Sequence, residues 1–139
     1  ATTAAPPVAA ARAAPGATRQ GSPGVADATQ LFYDNTNFLR WAQGCRENGI
    51  EAPLIPGLMP IRSAKQARRF CEHIPDELSQ ALDEAGDDPE KTQEVGIDWT
   101  TRQVTELFEA GYKAVHLYIM NRSGAAVEVI RRLRQNGAI

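Results

Sequence analysis

Residues 115–122 read Val-His-Leu-Tyr-Ile-Met-Asn-Arg, and this stretch decides the fold. Five of its first six residues are β-branched, aromatic or large aliphatic, which predicts a buried strand. Because side chains alternate along a strand, the odd-numbered apolar residues are expected on one face, and His116 and Tyr118 on the other. The apolar face suits covering helices, whereas the face with polar groups suits a lumen or a ligand.

Asn121 and Arg122 follow the carboxyl end of this strand, directly before a helical pattern. In open α/β sheets and in α/β barrels, ligands bind at that end of the strands. Arg122 is therefore a candidate for holding an anion, and a solvated loop arginine is the alternative. His116 is assigned no catalytic role, because a histidine bonded to its core neighbours is the commoner case.

Upstream of this stretch, strand patterns alternate with helical ones. We predict strands at 28–33, 53–59 and 114–120. Asn35 or Thr36 is predicted to cap a helix that ends at Asn48-Gly49, and Asp87-Asp88-Pro89 is predicted to open a helix at 87–111 with proline in its first turn and a break near Gly96. Further helices are predicted at 63–73, at 75–86 and at 125–134, the last with an apolar stripe of Ala126, Val127, Val129, Ile130 and Leu133. Pro56 and Gly57 are unusual inside a strand and indicate a bend or bulge near a ligand. Helical crossovers favour parallel pairing, so the pattern predicts an α/β unit, either a small open sheet or part of a larger barrel.

Length and charge limit the classes of function. The 139 residues allow one modest domain, and the net charge of −2 gives no reason to expect nucleic acid or an acidic membrane surface as a partner. No apolar run approaches the roughly 20 residues that span a bilayer. Cys45 and Cys71 lie in separate helical patterns without metal-ligand spacing, and we predict reduced, partly buried thiols and a cytoplasmic location.

The first 26 residues differ from the rest, since they are mostly Ala, Pro, Gly, Thr and Ser, with Arg12 and Arg19 as their only charges. Such a composition cannot bury enough apolar surface to offset the entropy of ordering. We therefore predict a disordered low-complexity segment at 1–27 and a folded domain at 28–139. An organellar transit peptide is the alternative, although four prolines would break its amphipathic helix.

Four motifs of the folded part resemble one enzyme family when taken in order. They are Thr-Gln-Leu-Phe-Tyr-Asp at 29–34, Ile-Pro-Gly-Leu-Met-Pro at 55–60, Lys-Gln-Ala-Arg-Arg-Phe at 65–70 and Tyr-Ile-Met-Asn-Arg at 118–122. Their order and rough spacing over residues 28–135 resemble methylenetetrahydrofolate reductase. The resemblance implies an α/β fold, namely a partial TIM (β/α)8 barrel made of the last three β/α units.

The resemblance also implies a reaction. Members of the family are FAD flavoproteins that reduce 5,10-methylenetetrahydrofolate to 5-methyltetrahydrofolate with NADH or NADPH, in one-carbon metabolism and methionine biosynthesis. The first five units, to which the family's catalytic acid and most flavin contacts belong, are not matched, so we expect a fragment with part of the folate pocket and no catalytic residue. The alternative is an inactive truncated chain that docks a partner or binds folate weakly. Open sheet edges would also allow a homo-oligomer.

The resemblance assigns four residues to substrate binding. Gln30 matches a glutamine that hydrogen-bonds the pterin ring, whose edge needs both a donor and an acceptor. Gln66 and Phe70 match a helix pair that touches folate, and Arg122 matches an arginine at the substrate site. The alternatives are a lumen polar residue for Gln30, a capping box with Ser63 for Gln66, and plain core for Phe70. All four are expected to converge at the carboxyl edge of the sheet.

Overall fold

The computed structural model describes residues 27–120 and 123–139, and within them strands and helices alternate as predicted. In chain order the elements are β1 Asp27–Leu31, α1 Asn35–Glu47, β2 Leu54–Leu58, α2 Ala64–Phe70, α3 Asp76–Ala85, α4 Pro89–Glu109, β3 His116–Leu117 and α5 Gly124–Gln135. The α/β class is therefore confirmed. The predicted disordered segment lies, apart from Asp27, outside the described residues.

The three strands form one parallel sheet in the order β1-β2-β3. Asp27 of β1 is opposite Leu54, and Leu31 is opposite Gly57. On the other side of β2, Gly57 is opposite His116. Helix α1 connects β1 to β2, and α2, α3 and α4 connect β2 to β3, so parallel pairing through helical crossovers is confirmed.

β3 is much shorter than predicted, with two residues instead of the seven expected at 114–120. The pairing of β3 with β2 ends because β2 stops at Leu58. The Leu58 carbonyl accepts a hydrogen bond from the Tyr118 N–H at 2.7 Å. At the other end, Pro56 has no N–H to donate. The N–H groups of a strand alternate in direction, and that of Gly57 points to β1, so the missing donor of Pro56 is on the β3 side.

The buried apolar residues form two clusters. The first lies among the sheet, α1, α4 and α5, and includes Phe32, Phe38, Leu58, Val104, Leu107, Val129 and Leu133. Val115 and Leu117 pack against it, as their predicted strand face requires, whereas Ile119 is 48% exposed beyond the end of β2. The second cluster contains Tyr33, Ile61, Ala67, Leu78 and Leu82.

The apolar stripe predicted for α5 is partly wrong. Ala126, Val129 and Leu133 are buried as expected, but Val127 is 59% exposed and Ile130 37%. Helix α5 packs on α4 along the face that carries the buried residues, and Val127 projects from a different side of the helix.

Helix α4 runs unbroken for 21 residues, so the predicted break near Gly96 is wrong. A Cβ atom at Gly96 would lie 2.2 Å from the main-chain oxygen of Ile61, in the segment after β2. Glycine is needed there for close approach between two segments and not for a change in helix direction. The predicted start of the helix is confirmed, since the Asp88 carboxylate accepts hydrogen bonds from the N–H groups of Glu90 and Lys91.

Several smaller predictions can be compared with the structure. The cap of α1 is Asp34, whose carboxylate accepts from the Thr36 N–H at 2.9 Å, and not Asn35 or Thr36. Cys45 is buried and Cys71 partly buried, and both are free thiols as predicted. None of the helices in the described ranges is long and apolar enough to cross a membrane.

Candidate functional site

The carboxyl ends of the three strands meet at one edge of the sheet, because all the strands are parallel. Beyond β2 the chain continues as Met59-Pro60, and beyond β3 as residues 118–120. A cleft lies between these segments and has about 260 Å³ of space, part of it open to solvent. Its lining consists of Met59, Pro60, Arg62, Gln66, Tyr118, Ile119, Met120, Ala125 and Ala126.

Gln66 lines this cleft and also caps α2. Its N–H donates to Ser63 Oγ at 3.0 Å, and its Oε1 accepts from the Arg62 N–H at 2.8 Å. The predicted capping box is therefore confirmed with one difference, since the side chain reaches the N–H of Arg62 and not that of Ser63. The carbonyl oxygen of the carboxamide is fixed by this bond, and its NH₂ group can donate. Contact between Gln66 and folate stays a prediction.

Phe70 is the last residue of α2, and its side chain is 41% exposed. The core alternative for Phe70 is therefore wrong. It lies one helical turn beyond Gln66 on the same side of the helix. The cleft lining includes Gln66 but does not extend to Phe70, so the structure leaves the role of its ring as a prediction.

Gln30 lies on β1 at the point where the pairing with β2 becomes irregular. Between Ala28 and Leu31 the chain of β1 advances three residues, while β2 advances two from Ile55 to Gly57, so the extra residue is on β1. A bulge near this point was predicted for β2, and the structure places it on the neighbouring strand. The structure describes the position of Gln30 on the strand and not its side chain.

Arg122 lies outside the described residues. The segment just before it lines the cleft through Ile119 and Met120, and Ala125 and Ala126 of α5 line it just after. The structure thus brings Gln66 together with the chain on both sides of Arg122. Convergence of Gln30 and Arg122 at this edge remains a prediction.

Tyr118 was expected only on the polar face of its strand, and the structure gives it a specific contact. Its hydroxyl donates to the Thr29 carbonyl on β1 at 2.8 Å. To reach β1 the ring passes over Gly57 of β2, where a Cβ atom would lie 2.8 Å from Tyr118 Cε2. The ring of His116 packs against it edge to face at 4.4 Å between centroids. The glycine within a strand pattern was the sequence signal for such a close approach.

A second cleft lies beside the amino terminus of α1, and its polar groups bond to one another. Asn35 Nδ2 donates to the Gln103 carbonyl at 3.1 Å and to Glu106 Oε1 at 2.9 Å. Gln103 Nε2 donates in turn to Asn35 Oδ1 at 3.1 Å and to the Phe32 carbonyl at 3.2 Å. These buried bonds tie the end of β1 to α4, and we assign them a structural role.

Two ionisable groups near this part of the molecule stay protonated around neutral pH. Burial raises the pKa of the Tyr33 hydroxyl well above its ordinary value. Burial also raises the pKa of the Cys71 thiol, against the opposing effect of hydrogen bonds with the backbone of His73 and Tyr33. Neither group is therefore suited to act as a base or as an anionic nucleophile.

Comparison with known proteins identifies relatives of the chain. The sequence model of the family described as methylenetetrahydrofolate reductase matches residues 25–134. The chain is 38% identical over 109 residues to "Methylenetetrahydrofolate reductase (NADH) 1" of Zea mays, covering 76% of this chain and 18% of the relative. It is 32% identical over 109 residues to "5,10-methylenetetrahydrofolate reductase" of Escherichia coli K12, covering 76% and 37%. It is also 32% identical over 110 residues to "Probable methylenetetrahydrofolate reductase (NADPH)" of Caenorhabditis elegans, covering 76% and 17%.

Proposed function

The chain belongs to the methylenetetrahydrofolate reductase family, and on this premise we propose that it forms the folate-binding side of an oxidoreductase site. The proposed reaction is the reduction of 5,10-methylenetetrahydrofolate to 5-methyltetrahydrofolate. The chain spans less than two fifths of the length of the relatives named above, so the reaction is proposed for the family's complete catalytic unit and folate binding for this chain.

We propose that the three strands are the last three of a (β/α)8 barrel. Support comes from their order in space, which follows the order in the chain, and from their parallel pairing. Successive strands of such a barrel are neighbours and are joined by helices on the outside. The cleft at the carboxyl edge is in the position where active sites of this architecture lie.

The single observation that carries the proposal is the position of Gln66. Gln66 lines a cleft together with residues 118–120, which end two positions before Arg122, the residue that the resemblance assigns to substrate binding. A donor amide and a guanidinium suit the polar edge of a pterin and a carboxylate, respectively. The exposed ring of Phe70, one turn from Gln66, could cover the flat face of such a ligand.

The family implies FAD as cofactor and a nicotinamide as reductant, and the residues described here do not fit a flavin on their own. Ligand sites usually enclose about 300–1,000 Å³ and bury most of the ligand. In the cleft at the sheet edge, the space that a water-sized sphere can enter is only about 10 Å³, roughly enough for one water molecule. We therefore derive no step through the flavin. The names of the relatives include both NADH and NADPH, and we propose a nicotinamide of either kind as reductant of the complete unit.

Titration with 5-methyltetrahydrofolate, followed by amide NMR shifts, tests folate binding. A half-open site leaves its polar contacts in water, so we expect a Kd of about 1 mM, or about 4 kcal/mol. Gln66→Glu keeps an acceptor for the Arg62 N–H, and hence the helix cap, but it removes the amide donor. We expect it to weaken binding at least fivefold with unchanged thermal stability. The matched control is Gln93→Glu on the exposed side of α4.

Two results would contradict the proposal. One is the absence of saturable shifts at the sheet edge up to several times the expected Kd. The other is an equal loss of affinity for Gln66→Glu and Gln93→Glu, which would show a general effect of added negative charge on an anionic ligand.

A second candidate function is partner docking along β3, and exposed apolar side chains favour it. Met120 is 56% exposed beside Ile119, and Val127 and Ile130 are exposed on the next helix. Within the described strands, β3 pairs on one side only, with β2. A second copy of the chain could pair along the same edge. Sedimentation at rising concentration tests this: Val127→Lys should shift association toward monomer, and an unchanged distribution would exclude this surface.

A further inference from the structure

Arg62 is the only charged residue among those that line the cleft at the carboxyl edge of the sheet. The other lining residues are apolar, apart from Gln66 and Tyr118, and none of them is a carboxylate. An anionic group that approached this cleft would therefore find a positive charge and no negative one among the described residues that form it.

The two arginines that are partly buried in the described part of the chain, Arg62 and Arg132, differ in their partners. Arg132 contacts three carboxylates of α4 and α5. Arg62 donates its main-chain N–H to Gln66, but within the described ranges its guanidinium has no ion pair and no hydrogen bond. Taking a charge partly out of water is unfavourable unless a partner compensates. The free donors of Arg62 are therefore available to a ligand.

The main chain around Arg62 is held in place before any ligand binds. The preceding residue, Ile61, is fully buried, and its carbonyl oxygen packs against Gly96 of α4. The Arg62 N–H is bound by Gln66 Oε1 at 2.8 Å. A side chain on a fixed main chain loses less freedom on binding than one on a mobile loop.

We propose that Arg62 binds a carboxylate of the glutamate chain of folate. The inference rests on the proposed folate site, and it adds a residue to which neither the resemblance nor the four motifs assign a role. The glutamate at the end of a folate has two carboxylates, and both are ionised at neutral pH. A planar guanidinium can donate two parallel hydrogen bonds to one of them. The second carboxylate remains available to Arg122.

The small size of the cleft agrees with recognition of a single group. The space that a water-sized sphere can enter is about 10 Å³, so a carboxylate oxygen could enter while the rest of the ligand stays at the mouth. The charge of the glutamate chain is then the recognised feature. A ligand of the same shape without that charge should gain nothing from Arg62.

Binding of 5-methyltetrahydrofolate and of its dimethyl ester, followed by amide NMR shifts, tests the inference on the full chain. The ester keeps the pterin and the glutamate chain but has no negative charge. Arg62→Gln keeps the main-chain N–H that Gln66 binds and removes the guanidinium. We expect it to weaken binding of the acid at least fivefold and binding of the ester less than twofold.

The matched control for the loss of one positive charge is Arg40→Gln. Arg40 is an exposed arginine of α1 whose guanidinium also has no ion pair within the described ranges. We expect this change to alter the affinity for either ligand less than twofold. A merely structural role of Arg62 would instead lower the melting temperature of ligand-free Arg62→Gln and weaken both ligands by the same factor. Removal of an unpaired charge should leave that temperature unchanged or raise it.

The outcomes separate the inference from the proposed function. Binding of the acid by the unmodified chain overturns the inference alone if Arg62→Gln has no effect, if it weakens acid and ester equally, or if Arg40→Gln weakens the acid as much. The absence of saturable folate binding by the unmodified chain overturns the proposed function and the inference with it.

Discussion

At the scale of single residues, Gly57 determines how the sheet is assembled. It is opposite Leu31 on one side and His116 on the other, and it lies under the ring of Tyr118. Any side chain there would displace either the Thr29 carbonyl or the ring. The residue is required for close approach of its neighbours and not for an unusual backbone angle.

Replacement of Gly57 by alanine should therefore destabilise the protein. The added methyl group must move main-chain atoms of β1, and overpacking of this kind costs about 1–3 kcal/mol. The control is Gly44→Ala in α1, where a Cβ atom meets nothing within 4 Å. That change should stabilise the helix by up to about 1 kcal/mol. Urea unfolding measures both, and equal effects of the two substitutions would contradict the close packing at Gly57.

Local residue contacts were predictable from the sequence, and distant ones were not. Ser63 with Gln66, and Asp88 before Pro89, follow from rules that act within one turn of helix. The bond from Tyr118 to Thr29 joins residues 89 positions apart, and no local rule indicates it. The exposure of Phe70 could not be predicted from the spacing of apolar residues. An aromatic residue at helical spacing has the same sequence pattern in a core and at a ligand site.

At the scale of elements, α4 and α5 are joined by a group of charges around Arg132. Its guanidinium contacts Glu94 and Asp98 of α4 at 2.8 and 3.1 Å, and Glu128 of its own helix at 2.9 Å. Hydrogen bonds from Arg131 and Arg132 lower the pKa of Glu128 to about 2, from an ordinary value of 4.5. The charged form of Glu128 is therefore favoured by folding.

This shift predicts a specific pH dependence. A carboxylate with a lowered pKa in the folded state contributes stability above its ordinary pKa and loses it as the pH falls through the folded value. The difference in unfolding free energy between the unmodified protein and Glu128→Gln should be constant above pH 5 and shrink between about 4.5 and 2. Glu51→Gln, an exposed glutamate in the loop before β2, is the control. A difference that did not change with pH would exclude the charged hydrogen bonds as its cause.

Substitution of Gly96 in α4 by alanine distinguishes two roles of this glycine, because they predict changes in stability of opposite sign. If glycine marked a weak point of the helix, alanine would stabilise by about 1 kcal/mol. The structure places a Cβ atom 2.2 Å from the Ile61 oxygen, so we expect Gly96→Ala to destabilise by about 1–3 kcal/mol with the helix content unchanged. Thermal unfolding with far-ultraviolet circular dichroism measures both quantities. A higher melting temperature for Gly96→Ala would show that the main chain at Ile61 moves to make room for the methyl group at little cost in stability.

The elements were predicted better than their lengths. Caps and apolar spacing located the five helices of the described residues, but the ends of β3 depend on where β2 stops and on the missing N–H of Pro56. The predicted break at Gly96 shows the same limit, because glycine has a low helix propensity whether it breaks a helix or packs against a neighbouring segment. The length of β3 and the continuity of α4 at Gly96 depend on contacts with a neighbouring element. A short stretch of sequence around either feature does not contain that element.

At the scale of the whole molecule, the alternation of strands and helices was sufficient to predict the parallel α/β sheet. Four short motifs were sufficient for the family, which the match over residues 25–134 confirms. The closed barrel remains a proposal, since the three described strands pair only in the order β1-β2-β3. The shared site also remains a proposal, because Arg122 and the Gln30 side chain lie outside what the structure describes.

The size of the cleft predicts how the chain behaves toward flavin. A cleft in which a water-sized sphere can enter only about 10 Å³ cannot bury an isoalloxazine ring with its ribityl and adenylate groups. We expect the chain incubated with FAD to leave a gel-filtration column colourless. The absorbance ratio at 450 and 280 nm measures the result. A yellow protein with about one flavin per chain would show that these residues form far more of the flavin site than the cleft suggests.

The topology of the sheet has a consequence for how the chain folds. β1, α1 and β2 are neighbours in sequence, and so are α4 and α5 on either side of β3, so these contacts require only short loops to close. The tie from Tyr118 to Thr29 closes a loop of 89 positions, and the entropy lost in closing a loop grows with its length. Long-range parallel pairing is intrinsically slow. We therefore expect the third strand to join last, so that during folding the edge of β2 that faces β3 is paired later than the edge that faces β1.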